Sequence, residues 1–294
     1  MEELVIISGK GGTGKTSVAA ALAVLAGNAV IADCDVDAAD LHLVLAPEIK
    51  EKHDFYSGHQ AVIRVEECTA CGICAEYCRF DAVKPATNKA GDPAYVIDPV
   101  SCEGCGVCVR FCPVKAIDFP ERLCGVWMIS DTRCGPMVHA RLGVAQENSG
   151  KLVSTVRKEA RRLLEETGRD RIIVDGPPGI GCPVIASITG ATHVLIVTEP
   201  TVSGEHDMDR VLKLAKHFKI PASICVNKWD LNPEMTVRIE KHALKNSAAL
   251  SGRIRYDIMM TRAQIEGVSV VETDAPCAED IRNIWKNLAG EKQR

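Results

Sequence analysis

Eight residues near the start of the chain, Gly9-Lys10-Gly11-Gly12-Thr13-Gly14-Lys15-Thr16, restrict the fold more than any other stretch. They stand between an apolar run, Leu4 to Ser8, and an Ala/Leu/Val-rich run from Lys15 to about Leu25. Glycines at this density let backbone N–H groups converge on an anion, and the helix that follows adds its positive end. The pattern fits G-x-x-x-x-G-K-[ST] in the context it needs, after a strand and opening a helix. Gly11, Gly12, Thr13, Gly14, Lys15, Thr16 and Ser17 are therefore expected to cradle the phosphates of ATP. Lys15 would reach the β- and γ-phosphates, and the Thr16 hydroxyl would take Mg2+.

Further strand-like runs continue the pattern: Ala29 to Ala32, Arg171 to Asp175, His193 to Thr198, Ser223 to Asn227 and Gly252 to Asp257. Helical runs such as Lys151 to Glu166 and Glu205 to Phe218 lie between them. Continuous apolar strands alternating with helices imply a parallel sheet covered on both faces. The fold class expected is α/β, a doubly wound, mostly parallel P-loop NTPase sheet.

From about His59 the texture changes to closely spaced cysteines with scattered Gly and Pro. Cys68, Cys71, Cys74 and Cys78 recur 34 positions later as Cys102, Cys105, Cys108 and Cys112. The flanks repeat as well, "AVIRVEEC" against "YVIDPVSC" and "CRFDAV" against "CPVKAI". Fourteen cysteines in a 294-residue chain whose N-terminus reads as strand and loop point to metal rather than disulfides. C-x2-C-x2-C-x3-C, present twice, is the bacterial two-cluster ferredoxin run, in which the fourth cysteine of each run serves the other cluster. One [4Fe–4S] cluster is expected on Cys68, Cys71, Cys74 and Cys112, the other on Cys102, Cys105, Cys108 and Cys78. Zinc is the competing reading, since four-cysteine zinc sites also use C-x2-C pairs. Pro113 follows Cys112 in the usual way, but Arg79 follows Cys78 and puts a positive charge near one cluster. The expected organisation is a P-loop ATPase domain, 1–58 and 121–294, interrupted by a ferredoxin-like α+β module, 59–120.

Lys10 inside the loop makes the chain resemble the deviant Walker A ATPases, the group of MinD, ParA, Mrp and, more distantly, the nitrogenase iron protein. Three further stretches carry the resemblance: "ADCDVD" with Asp33, Asp35 and Asp37, "IIVDGPPG" with Asp175, and "CVNK" with Asn227. It implies that Lys10 acts across a dimer interface on the partner's phosphates and that Asp35 works on the attacking water. It also implies Asp175 in the second shell of Mg2+ and Asn227 at the adenine. Asp33 and Asp37 are left as strand-end caps or loop residues. One departure is Arg255, in "GRIRYD", where the family often has proline near the base.

Six cysteines lie outside the repeat. Cys34, Cys225 and Cys277 are expected to be buried. Cys182, seven positions after Asp175, matches a switch-loop cysteine of the nitrogenase iron protein. With Cys134, or with Cys124 as the other upstream candidate, the resemblance implies a third, intersubunit [4Fe–4S] cluster, against the alternative of two reduced thiols. In "ENSGKLV", Glu147 to Val153, Ser149 is read as a helix cap and Lys151 as a candidate for phosphate or partner.

A net charge of −4 and 4% aromatics give neither a basic field nor a stacking platform, so nucleic acid is not an expected partner. The chain is expected to be cytoplasmic without a stable membrane anchor, the tail packing Ile281, Ile284 and Trp285 on the domain. The resemblance, to the ferredoxin-containing branch of these ATPases, implies a homodimer or a heterodimer with a related P-loop ATPase. It also implies a redox or iron–sulfur partner protein. ATP-gated electron transfer is the leading function. An Mrp-type cluster scaffold or carrier is the alternative, weakened because Cys277 stands alone where Mrp relatives have C-x-x-C.

Overall fold

A computed structural model of the chain describes residues 2–143 and 149–290. They divide into two compact units, Met1–His53 with Val126–Leu142 and Asn148–Arg294, and Asp54–Gly125 with Gly143–Glu147.

The first unit begins with β1 (Glu2–Ser8), α1 (Lys15–Ala26), β2 (Ala29–Asp33) and α2 (Leu41–Leu45). β3 (Glu48–His59) carries the chain into the second unit, made of β4 (Val62–Ile63), α3 (Ile73–Glu76), β5 (Val83–Thr87), β6 (Pro93–Ile97), α4 (Val107–Phe111) and β7 (Ile117–Asp118). β8 (Glu121–Thr132) brings it back to β9 (Gly135–Leu142), α5 (Ser149–Thr167), β10 (Arg171–Pro178), α6 (Cys182–Ile188) and β11 (His193–Thr198). α7 (Val202–His217), β12 (Ala222–Asn227), α8 (Pro233–Lys245), β13 (Ala249–Ile254), α9 (Ile258–Ile265) and α10 (Pro276–Gly290) complete the first unit.

The main sheet has the order β13-β12-β11-β1-β10-β2-β9-β8-β3. β1 pairs in parallel with β10 and β11, β2 with β10 and β9, and β12 with β11 and β13. The sheet is thus the mostly parallel α/β arrangement expected. Its central strands are solid runs of Val, Ile and Leu, fully buried because helices cover both faces. α1 packs a run of small side chains, Ala19 to Ala23 with Leu22, into the core cluster that also holds Ile6, Ile31 and Ile173. Each such branched side chain buried contributes about 1.5–3 kcal/mol. Oxygen caps start the later helices: Thr201 accepts from the Gly204 N–H at 2.9 Å, Asn232 from Met235 at 3.0 Å, Asp257 from Met259 at 2.9 Å.

The last strand lies earlier than the run Gly252 to Asp257 suggests. It is Ala249–Ile254, because Asp257 leaves the sheet to cap α9. In α10, Ile281 and Ile284 are buried and Trp285 packs against the core, as the tail's pattern implied. The residue before α5 and Glu147 lie outside the described residues, and Ser149 is the first residue of that helix. No helix among the described residues is long and apolar enough to cross a membrane.

The second unit carries the 34-residue repeat as a pseudo-two-fold. β4 pairs antiparallel with β7, and β5 with β6. Ile63 faces Ile117, and the positions 34 residues away, Ile97 and Val83, face each other in the same way. The Arg64 N–H donates to the Ala116 carbonyl at 2.8 Å, and the equivalent Asp98 N–H donates to Ala82 at 2.7 Å. α3 and α4 start at equivalent left-handed glycines, Gly72 (φ 79°) and Gly106 (φ 72°), which L side chains rarely match. Each half supplies the strand that completes the other half's ribbon.

Candidate functional site

The ends of β1, β10, β2, β11 and β12 converge on the glycine loop, the edge where parallel sheets place ligands. The loop is held from several sides. The Asn227 amide, ending β12, donates to the Thr13 carbonyl at 2.7 Å, while its oxygen accepts from the Lys228 N–H at 2.9 Å. The Ser8 hydroxyl donates to the Lys10 carbonyl at 2.7 Å, and the Gly179 N–H reaches the Ser8 carbonyl at 2.8 Å. Ser17, one turn into α1, accepts from the Gln264 amide at 2.8 Å. Gly14 has φ 86°, and a Cβ there would stand 2.4 Å from the Asn227 amide nitrogen. Only glycine serves at that position.

Lys15 is almost wholly buried beneath the loop. Its ammonium lies 2.7 Å from Asp175 Oδ1, 3.2 Å from Asp35 Oδ2 and 3.3 Å from the Thr16 hydroxyl. Burial works against its charge, but Asp175, Asp35 and Asp33 outweigh it and raise its pKa. Asp33 is completely buried next to Asp175 on the paired strands, and one oxygen accepts from the Asp35 N–H at 3.2 Å. Burial first, then the Asp175 charge, pushes its pKa well above the carboxylate range. Burial also raises Asp35, against the pull of Lys15. Asp33 Oδ2, Asp175 Oδ2 and the Thr13 hydroxyl are buried without a hydrogen-bond partner. Such orphaned acceptors are rare, and three beside a phosphate loop form a donor set suited to a divalent cation and its waters.

Asp33 therefore belongs with Asp35 and Asp175, not with the strand-end caps, whereas Asp37 is exposed. The sequence signal was available, because Asp33 and Asp175 each close a continuous apolar run, Ala29 to Ala32 and Ile172 to Val174. Glu199, at the end of β11, went unnoticed. It holds Lys10 at 3.3 Å and Lys228 at 2.6 Å, and Lys10 also lies 3.4 Å from the Ser203 hydroxyl. Arg255 grips Asp280 through two nitrogens at 2.7 and 2.8 Å.

In the second unit, Cys68, Cys71, Cys74 and Cys112 line one small apolar cavity with Ile63, Tyr95 and Ile117. Three of these cysteines come from one run and the fourth from its twin. Burial raises the Cys74 thiol, and the nearby Cys68 and Cys71 add to it. Burial takes Cys108 up to about 11, with Cys102, Cys105 and Cys74 as its thiol neighbours. The Ala82 N–H points at Cys78 Sγ at 3.4 Å, and the equivalent Ala116 N–H at Cys112 Sγ at 3.3 Å. Among the described residues, no three His, Cys, Asp or Glu side chains converge tightly enough to hold a single metal ion.

The remaining cysteines separate. Cys34, Cys225 and Cys277 are completely buried, and Cys124 is buried with its thiol 3.1 Å from the Ser57 carbonyl. Cys134 and Cys182 are not brought together. Cys134 directly precedes β9, whose start lies beside Ala29 at the beginning of β2. Cys182 follows the end of β10, which runs parallel to β2. The two thiols sit at opposite ends of the sheet, Cys134 buried and Cys182 exposed. Within one chain the two residues therefore form no common site.

Residues 4–270 match the model of the CobQ/CobB/MinD/ParA nucleotide binding domain. An uncharacterized protein of Methanocaldococcus jannaschii, MJ0578, is 34% identical over 97% of this chain and 96% of its own. A second from the same organism, MJ0579, is 26% identical over 79% and 83%. Among solved structures, the septum site-determining protein MinD of Pyrococcus horikoshii, complexed with Mg-ADP, superposes with a TM-score of 0.57 at 19% identity. That match covers 99% of this chain and 98% of the other. Phosphate loop, strand order and family match agree, and the chain belongs to the CobQ/CobB/MinD/ParA family of nucleotide-binding domains.

Proposed function

We propose that the chain binds and hydrolyses Mg-ATP, and that nucleotide-driven dimer closure is coupled to electron transfer through two [4Fe–4S] clusters toward a partner protein. The family supports the nucleotide half. Lys15 moves from its aspartates to the β- and γ-phosphates, the Thr16 hydroxyl and Asp175 serve Mg2+, and Asp35 orients the attacking water. Asn227, whose amide holds the Thr13 carbonyl, reads the adenine. Lys10 leaves Glu199 to reach the partner subunit's phosphates. The partner is a second copy or a related chain, as M. jannaschii holds two proteins similar to this one.

The observation that carries the iron–sulfur half is Cys112, which lines the cavity of Cys68, Cys71 and Cys74 although its own run lies 34 residues on. That exchange is what the two-cluster ferredoxin run requires. The residues fit the group: four thiols, an apolar wall, and a backbone N–H aimed at the sulfur of each exchanged cysteine. Bound there, a [4Fe–4S] cluster takes up and releases one electron at a time. Cys102, Cys105, Cys108 and Cys78 form the second set by the internal symmetry.

An Mrp-type carrier is the second reading, favoured by the exposure of Cys71 and Cys105. Against it stands Cys277, completely buried and raised to about 12 chiefly by that burial, so it offers no thiolate for cluster transfer. The deciding experiment is anaerobic purification, with iron and sulfide counted and the cluster potentials measured by EPR with and without ATP. About eight irons per chain and a nucleotide-dependent shift in potential or electron-transfer rate are expected. Zinc in place of iron removes the redox half. Clusters that pass to an apo-acceptor favour the carrier.

A further inference from the structure

Four apolar side chains of the cysteine unit are exposed: Tyr77 at 48%, Phe111 at 47%, Phe80 at 44% and Val114 at 44%. They form two pairs related by the 34-residue repeat, Tyr77 with Phe111 and Phe80 with Val114. Tyr77 and Phe111 stack on each other across the pseudo-two-fold, ring centroids 4.8 Å apart and 6° from parallel. Each directly precedes the exchanged cysteine of its run, Cys78 or Cys112. Phe80 and Val114 stand on the turns that close over those sulfurs, made rigid by left-handed Asp81 (φ 51°) and Lys115 (φ 53°). Two exposed stacked aromatics flanked by two further exposed apolar residues are more than scattered surface hydrophobics.

Charge around the patch has a sign. Arg79, Arg110 and Lys115 are exposed, and the side chains of all three are without an ion-pair partner among the described residues. Asp81 is neutralised by Lys84 at 2.6 Å, which leaves Glu76 as the uncompensated carboxylate of α3, α4 and the two turns. Arg79, Arg110 and Lys115 each adjoin a patch residue in the chain, Phe80, Phe111 and Val114, so the patch is bordered by more positive than negative charge in a chain whose net charge is −4. Thiolate-ligated clusters beneath would be anionic, so these cations are what permits a negatively charged protein to approach.

We propose that the Tyr77–Phe111 face is the docking surface for an acidic electron-carrier protein that presents an apolar centre within a rim of carboxylates. This rests on reading the cysteines as cluster ligands. One electron leaves the reduced iron of the carrier and enters a [4Fe–4S] cluster, which passes from 2+ to 1+, with no bond or proton transferred. Complexes of this kind are small and salt-sensitive, with rim charges setting the approach and a few aromatic anchors setting the lifetime.

The probe is a plant-type [2Fe–2S] ferredoxin, acidic and poised near −400 mV. Binding to the full chain is measured by calorimetry at about 20 and 200 mM NaCl, and cluster reduction by stopped flow with the ferredoxin pre-reduced. Binding that weakens with salt is expected. It should weaken at least about tenfold, roughly 1.4 kcal/mol, in R79E/R110E and in Y77S/F111S. The arginine pair is fully on the surface, so its reversal tests the face without disturbing the fold, and the iron content of Y77S/F111S checks the aromatic pair. Absent binding by the native chain, or affinities in both variants within twofold of it, overturns the proposal. Binding lost in both variants upholds the surface whatever the clusters do. If the native complex then forms but no electron passes, the redox reading fails while the docking surface stands.

Discussion

Replacing Lys15 by methionine tests the electrostatics of the phosphate site in the absence of nucleotide. Its ammonium is the ion-pair partner of both Asp35 and Asp175, and it offsets the buried charge that also bears on Asp33. Burial and the Asp175 charge hold the pKa of Asp33 well above the ordinary carboxylate value. Without Lys15 the folded protein must either keep the Asp35 and Asp175 carboxylates without their cation or take up a proton. Breaking a buried pair from one side costs about 3–5 kcal/mol. For a unit of this size that is a Tm deficit of roughly 6–20 °C.

The sign of the pH dependence follows. A carboxylate whose pKa is raised on folding stabilises the fold below its unfolded value, and that contribution is lost as pH rises through the folded value. Asp33 and Asp35 are both of this kind, and removing Lys15 raises them further. Each additional proton bound by the folded variant makes the deficit shrink by about 1.4 kcal/mol per pH unit on lowering the pH. Between pH 8 and 6 the deficit should therefore shrink, by no more than about 2.7 kcal/mol for each additional proton taken up. Thermal melts of nucleotide-free K15M and native protein at pH 6, 7 and 8 measure this directly. An equal deficit at all three values, or one that grows toward pH 6, refutes the account of Lys15 as counterion to the buried aspartates.

Gly14→Ala forces a side chain into the left-handed region and against the Asn227 amide, so nucleotide affinity measured by calorimetry should drop at least tenfold, with about 1–2 kcal/mol from backbone strain alone. Glu199→Gln frees Lys10 from its 3.3 Å ion pair, and the acylation rate of Lys10, read by peptide mass spectrometry in the nucleotide-free protein, should rise several-fold. His139 is buried, its ring nitrogen 2.8 Å from the Ser130 hydroxyl, and burial, with His42 and Arg141, lowers its pKa to about 4. Its stabilisation is complete above the unfolded value near 6.5 and is lost as pH falls toward 4, a loss of about 2–3 kcal/mol. His139→Leu should flatten that limb of the Tm–pH curve.

What the sequence reveals depends on whether spacing or partnership sets the chemistry. The phosphate loop and the cysteine runs are spaced along the backbone itself, so their residues are legible by position, as are the solid apolar strands His193–Thr198 and Ala222–Asn227. β3, β8 and β9 escaped, since mixed polar strands such as "EIKEKHDFYSGH" lack both a continuous apolar run and a clean alternation. Asp33 and Glu199 escaped for another reason. Their roles are set by partners 142 and 189 positions away, Asp175 and Lys10, and the strand order that unites them is a property of the whole sheet. The same logic separates Cys134 from Cys182 within one chain. In a parallel sheet, residues that follow strands share one edge and residues that precede strands share the other. Asp33 and Asn227 end strands, Glu199 follows one and Asp175 lies in the second half of β10, and all reach the phosphate loop or Lys15 beneath it. Cys182 follows β10 and lies on that edge, but Cys134 precedes β9, so no offset borrowed from a relative can bring its sulfur there.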